Sequence, residues 1–191
     1  MHPQIIEEHE YNKVDFTEKP LAKGEYELCT FNACNFSKAD ISNIKFIECE
    51  FIDCNLSSSN LYNTCLQEVK FEACKMLGIQ FDKSDHFGFV VSFTNCQLDH
   101  SSFYGVKLKN TRFLNSKLQE VDFTEANLSK VILDNCDLKN AVFERSILEK
   151  TNFKTSYNYS LDPENNRIKG ALFSTPGVLG LLTKYSIKID V

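Results

Sequence analysis

From Phe16 onward, every fifth residue of this chain is apolar. Phe16, Leu21, Tyr26, Phe31, Phe36, Ile41, Phe46, Phe51, Leu56, Leu61, Leu66, Phe71, Met76 and Phe81 follow one another without a polar residue. The rhythm resumes at Phe93 and continues through Leu98, Phe103, Leu108, Phe113, Leu118, Phe123, Leu128, Leu133, Leu138, Phe143, Leu148 and Phe153. A helix gathers residues three and four apart onto one face, and a strand gathers alternate residues. Neither carries every fifth residue into one interior for so long. The chain must turn at fixed intervals and wind as a solenoid.

The position two before each central residue is also restricted. It holds Cys29, Cys34, Ala39, Ile44, Cys49 and Cys54 in one stretch and Val121, Ala126, Val131, Cys136 and Ala141 in another. A large and a small residue two apart point to the same side of an extended segment, which leaves three positions for solvent or a corner. Those three carry nearly all the Asn, Asp, Glu, Lys and Ser. Asp122-Phe123, Asn127-Leu128, Asp137-Leu138 and Asn152-Phe153 put a turn-forming polar residue directly before the centre.

This pattern resembles the pentapeptide-repeat family, written Ala-Asp/Asn-Leu-x-x, and Ala126-Asn127-Leu128-Ser129-Lys130 matches it residue for residue. The resemblance implies an all-β solenoid, a right-handed quadrilateral β-helix with four repeats to a coil. Residues twenty apart should then stack, and the sequence is consistent with that. Phe103, Phe123 and Phe143 form one column, Leu98, Leu118 and Leu138 a second, and Phe31, Phe51 and Phe71 a third. If the disturbed stretch adds two residues to a coil, the third column continues through Phe93, Phe113, Leu133 and Phe153. The repeats make about seven coils, a rod roughly 30–35 Å long at the strand spacing of a sheet.

The expected organisation is a lead-in over 1–11, a repeat region over 12–158 with a two-residue expansion at 82–92, and an exit turn with a short C-terminal α-helix over 159–191. In the expansion, Phe87 or Phe89 should supply the missing inward side chain, Gly88 the bend, and Asp85 and His86 should sit near the surface. At the far end, Ser174 or Thr175 can cap the helix, with Pro176 in its first turn. Val178, Leu179, Leu181, Leu182 and Tyr185 make that helix apolar on more than one face. One face should close the solenoid, and another should form a homodimer.

Seven of the eight cysteines occupy the small-residue position, with Cys65 the exception, so they read as buried free thiols. No short-spaced Cys/His pairing exists among His2, His9, His86 and His100, and no metal or cofactor is expected. Nothing in Met1–Tyr11 resembles a signal peptide and no run approaches a membrane span, so the expected location is cytoplasmic, away from the membrane. Charge is uneven: residues 1–90 hold 15 acidic and 8 basic side chains, residues 91–191 hold 11 and 13. A basic patch for direct nucleic-acid binding is therefore disfavoured. No nucleophile, base or phosphate-binding motif emerges, so no catalytic residue is assigned and no enzyme is expected.

Within the family the chain looks most similar to the Qnr type of quinolone-resistance protein. Met76-Leu77-Gly78-Ile79-Gln80-Phe81 resembles a Leu-Gly-Ile stretch found there, and the terminal segment takes the place of the dimerisation helix. The resemblance implies a DNA-mimicking dimer that binds DNA gyrase or topoisomerase IV and protects against quinolones or related poisons. Qnr proteins of the best-known type carry two projecting loops, whereas this chain has only the small expansion. The alternative is a structural or adaptor module for protein–protein contact. Candidate partner-binding residues are Glu48, Glu50, Asp53, Glu68, Glu72, Asp82, Asp85 and His86. Their clustering into one stripe would favour mimicry, and their dispersal the adaptor.

Overall fold

The computed structural model describes residues 4–108 and 111–189. Met1–Pro3 of the lead-in, and Asp190 and Val191 of the terminal segment, lie outside the described residues. The backbone changes direction once per repeat because the residue two after most of the centres adopts a left-handed conformation. At the consecutive corners Lys38, Asn43, Glu48, Asp53, Ser58 and Asn63, φ is 59°, 54°, 51°, 53°, 56° and 55°. Each such corner is unfavourable for an L-residue on its own, and every one is held by a hydrogen bond to the neighbouring coil. The amide of Glu48 donates to the Gln67 carbonyl at 2.8 Å, and that of Asp53 to the Glu72 carbonyl at 2.9 Å.

Two sides of the coil are regular enough to be strands. One is a four-stranded parallel sheet of β1 (Ile5–Glu7), β3 (Glu25–Glu27), β5 (Lys45–Ile47) and β7 (Cys65–Gln67), in that order. The other is a seven-stranded parallel sheet of β2 (Glu10–Asn12), β4 (Thr30–Asn32), β6 (Glu50–Ile52), β8 (Val69–Glu72), β9 (Val91–Thr94), β10 (Arg112–Leu114) and β11 (Ile132–Asp134). The remaining two sides are joined by single parallel bridges. Asp15, Asn35, Asn55 and Lys75 form one line, and Gln80, Ser102, Asp122 and Val142 belong to the other. Four separate ladders, each advancing about one coil per step, make the four sides expected of a quadrilateral solenoid.

The coil count differs from the expected seven. Pairing already begins at Ile5 with Glu25, and the seven-stranded ladder continues beyond β11 through the bridges Ile132 to Asn152 and Asn152 to Leu172. The central side chains fill the interior as rings on rings. Phe31 stacks on Phe51 at 4.6 Å, Phe51 on Phe71 at 5.1 Å, Phe71 on Phe93 at 5.3 Å and Phe93 on Phe113 at 5.0 Å. A Phe side chain contributes roughly 1.5–3 kcal/mol when fully buried, so each ring of this column adds to what holds neighbouring coils together.

The insertion is located by register. Cys65 pairs with Asp85, twenty residues on, but Val69 pairs with Val91, twenty-two on. The two extra residues therefore fall between Asp85 and Val91. Phe89 turns inward and is 6% exposed, while Phe87 points out and is 81% exposed. Gly88 makes the bend at φ +69°.

The expected C-terminal α-helix is absent from the described residues. In its place are two 3₁₀ helices, Gly177–Leu181 and Thr183–Tyr185. Gly177 and Gly180 explain this. A Cβ at Gly177 would overlap the Tyr159 ring and hydroxyl, and one at Gly180 would overlap the Tyr159 carbonyl. The glycines are there for close approach, and the segment follows the end of the solenoid rather than standing off it as a regular helix.

Candidate interaction surfaces

The corner between the two sheets carries a row of acids. Glu8, Leu28, Glu48 and Glu68 are successive corners twenty residues apart, all with positive φ. Beside them, Glu7 and Glu27 are paired residues at the ends of β1 and β3, and Glu10 begins β2. The Glu27 carboxyl is held above its ordinary value by a hydrogen bond shared with Glu25 and then, beyond partial burial, by the charges of Glu25, Glu7 and Glu48. That upward shift is what crowded carboxylates produce when few cations lie among them.

Of the candidates named from sequence, Glu48 and Glu68 lie on this ridge. Glu50 borders it but is paired: the Lys70 ammonium sits 2.8 Å from its carboxylate, one rung along the same column. Glu25 is paired with Lys45 in the same way at 3.0 Å. Asp53 and Glu72 meet at the opposite corner of the seven-stranded sheet, where the Asp53 amide donates to the Glu72 carbonyl. Asp82 is separate from both groups, half-buried in a 3₁₀ turn, with Lys83 at 2.9 Å. Asp85 lies on the line of the four-stranded sheet beside Cys65, and its carboxylate accepts the Phe87 amide at 2.9 Å. His86 is exposed next to it. The structure thus joins Glu48 with Glu68 and Asp53 with Glu72, and leaves Asp82, Asp85 and His86 apart. Glu7, Glu8, Glu10 and Glu27 were not singled out from sequence, although stepping back by twenties from Glu48 reaches Glu8.

At the carboxyl end the closing segment is tied down by polar contacts. The Lys184 ammonium lies 2.7 Å from both Asp162 and Glu164, which raises its pKa and lowers theirs. The Leu161 amide donates to the Gly180 carbonyl at 3.1 Å. Of the candidate dimer residues, Val178, Leu179 and Tyr185 are exposed, whereas Leu181 and Leu182 are half-buried and Leu181 packs on the core.

Inside, all eight cysteines are free and buried. Several of the thiols donate to the preceding coil: Cys49 to the Tyr26 carbonyl at 3.2 Å, Cys54 to that of Phe31 at 3.2 Å, and Cys74 to that of Phe51 at 3.3 Å. Thr64, Ser101 and Ser156 make the same bond to Ile41, Met76 and Leu133. The small position therefore accepts a short donor where one is present, and Ala, Val or Ile elsewhere along the rod. Burial pushes the Cys49 thiol up to about 12 and that of Cys136 up to about 11. Among the described residues, no group of three or more His, Cys, Asp and Glu side chains could hold a metal ion, and no helix is long and apolar enough to cross a membrane.

A family model for the pentapeptide repeat region matches residues 25–87 and 89–158. The chain belongs to the pentapeptide-repeat family. No curated protein matches it. Among solved structures, a trypsin-treated variant of QnrB1, a plasmid-mediated fluoroquinolone resistance protein, superposes with a TM-score of 0.62 at 16% identity, covering 100% of both chains. Full-length QnrB1 gives 0.55 at 16% identity, over 96% of this chain and 100% of that one. HetL, a pentapeptide repeat protein involved in heterocyst differentiation regulation from the cyanobacterium Nostoc sp. strain PCC 7120, gives 0.57 at 13% identity, over 89% and 86%. At these identities the likeness is one of fold, and this pentapeptide-repeat protein shares with QnrB1 an all-β solenoid along its whole length.

Proposed function

We propose that this pentapeptide-repeat protein is a non-enzymatic binding protein whose acidic ridge occupies a duplex-DNA site on a type II topoisomerase, DNA gyrase or topoisomerase IV, and so relieves poisoning by quinolones or related compounds. The observation that carries the reading is the ridge of Glu7, Glu8, Glu27, Glu48 and Glu68 along one corner of a rigid rod. Carboxylates repeating at the rung spacing of about 4.8 Å present a line of charge to a surface built for phosphates. Similarity in fold to QnrB1 over the whole chain supports the same assignment. Two copies joined through Val178, Leu179 and Tyr185 would double the rod and place an acidic corner toward each outer end.

A second reading, an adaptor for some other protein, is favoured by the dispersal of the candidate residues, of which only Glu48 and Glu68 lie on the ridge while Asp53 with Glu72, Asp82, and Asp85 with His86 lie elsewhere, and by the cross-rung pairs Lys45–Glu25 and Lys70–Glu50, which interrupt the acid with cations. A gyrase supercoiling and cleavage assay with and without a fluoroquinolone separates the two. Relief of drug-stabilised cleavage, lost in Glu48→Lys/Glu68→Lys, is the expected result. No protection and no inhibition at micromolar protein would leave the adaptor reading.

A further inference from the structure

The corner that carries acid in the first half of the rod carries cations in the second. Glu48 and Glu68 stand just before β6 and β8 of the seven-stranded sheet, and Lys130 stands in the same place before β11. Lys150 follows one coil on, before Asn152, which bridges to Ile132. Both lysines are left-handed corners, at φ 63° and 59°. On the side before this corner, Lys107 and Arg167 are the first and last of the bridged line Lys107, Asn127, Ile147 and Arg167, and Lys169 stands two residues further. On the side after it, Arg112 begins β10. All six cations are exposed. Among the described residues, Arg167 is the one of them held in an ion pair, with Glu149 at 2.7 Å. The acids of this half lie mostly elsewhere: Glu120, Asp122 and Asp137 belong to the other two sides and the corner between them. The near-even count of 11 acidic and 13 basic side chains over residues 91–191 therefore hides a separation of sign across the rod.

We propose that this row of cations is a sequence-independent contact for the phosphate backbone of duplex DNA. Shape favours that occupant over an acidic protein segment. The row is straight and fixed to a packed solenoid, and from the coil of Lys107 to that of Arg167 it advances about 14 Å at the spacing of stacked strands. That length faces about four phosphates of one strand, at about 3.4 Å of helix axis each. A stiff duplex meets such a row without the entropy loss that ordering a flexible acidic peptide costs. Lysines dominate the row, and a lysine ammonium is a point charge that pairs with a phosphate without reading a base. The contact also has an end. Beyond the expansion the same corner turns to Glu68 and Glu48, which repel the duplex, so the rod holds DNA by its second half alone. The net charge of -5 keeps the binding weak and sensitive to salt. The inference rests on the second half of the rod and does not depend on the topoisomerase reading.

The probe is a fluorescein-labelled duplex of about 20 base pairs, titrated with the full chain at about 25 mM salt and followed by anisotropy. Saturable binding is expected, equal for two duplexes of unrelated sequence. The logarithm of the association constant should fall linearly against the logarithm of salt, by about 0.9 for each phosphate contact. Lys130→Gln/Lys150→Gln should reduce that slope by about two, while Lys117→Gln/Lys139→Gln, on another side of the rod, should leave it unchanged. Both pairs replace exposed side chains, and unaltered circular dichroism checks that the solenoid is intact. Glu48→Lys/Glu68→Lys should bind the duplex more tightly, the opposite of its expected loss in the gyrase assay, so the two readings fail separately. No saturation at about 100 µM protein, or a slope that Lys130→Gln/Lys150→Gln leaves unchanged, overturns the proposal. So does tighter binding of a poly-glutamate peptide than of the duplex at the same salt, because the occupant would then be an acidic protein segment.

Discussion

A thiol at the small position is neutral only while it keeps its proton. Cys49 donates to the Tyr26 carbonyl inside the rod, and burial moves its pKa from 9.0 to about 12. The folded state therefore disfavours the thiolate. With the folded pKa above the unfolded one, this stabilisation is complete below about pH 9 and is lost as pH rises toward about 12. At about pH 10 the loss amounts to about 1.4 kcal/mol for one such thiol. Cys136, raised to about 11, acts in the same direction over a narrower window. The melting temperature should fall between about pH 8 and about pH 10, and Cys49→Ser should reduce that fall. Serine already fills the equivalent place at Ser156, where its hydroxyl donates to the Leu133 carbonyl at 2.8 Å, and it does not titrate. An unchanged pH dependence in Cys49→Ser would mean that this thiol is not desolvated in solution. Ser59 shows the same position without its bond: its buried hydroxyl has no partner among the described residues.

At the scale of elements, the repeats were legible and their interruptions were only half so. The step of five and the column of twenty are set by side-chain volume, which sequence records directly, so the Phe71–Phe93 pairing across the insertion followed from counting. The choice between Phe87 and Phe89 did not, because both are apolar and the inward one is decided by where Gly88 bends the backbone. The acidic ridge was partly visible, since Glu48 and Glu68 obey the period, but Glu8 stands before the first counted repeat and Leu28 breaks the charge between them. The carboxyl-terminal segment misled for a physical reason: Val178, Leu179, Leu181, Leu182 and Tyr185 are spaced like a helix, yet Gly177 and Gly180 serve contact with Tyr159. That contact can be tested. Gly180→Ala drives a methyl into the Tyr159 carbonyl, and overpacking of this kind costs about 1–3 kcal/mol. The segment should be displaced, seen as faster amide exchange at Leu161 and faster proteolysis beyond Ser174, while exchange in β4, β6 and β8 stays unchanged. Unaltered exchange at Leu161 would show that the segment is not closing the solenoid.

At the scale of the whole molecule, the two ends of the rod are chemically different, and that difference determines which of them can meet its own copy. The first coil exposes Glu7, Glu8 and Glu10 at one corner and Asp15 and Glu18 beyond it, beside Lys13, Lys19 and Lys23, so this end is mixed in charge with an acidic excess. The carboxyl-terminal end exposes Leu172, Val178, Leu179, Tyr185, Ile187 and Ile189 together with Lys188. Among the described residues, the acids of this end, Asp162 and Glu164, are paired with Lys184. The proposed dimer would join these apolar ends about a two-fold axis, the commonest symmetry of soluble oligomers, and a two-fold contact closes without leaving a further end to propagate. Light scattering after size exclusion should give twice the chain mass of 21.9 kDa at micromolar concentration. Leu179→Asp should give the monomer, because a carboxylate placed on each side of the axis is desolvated without a partner. Leu179 is 38% exposed in the single chain, so the variant should keep the parent's circular dichroism and the amide protection of β4, β6 and β8. A wild-type protein that runs as a monomer at tens of micromolar would remove the dimer. The acidic ridge would then have to meet its partner from a single rod of half the length.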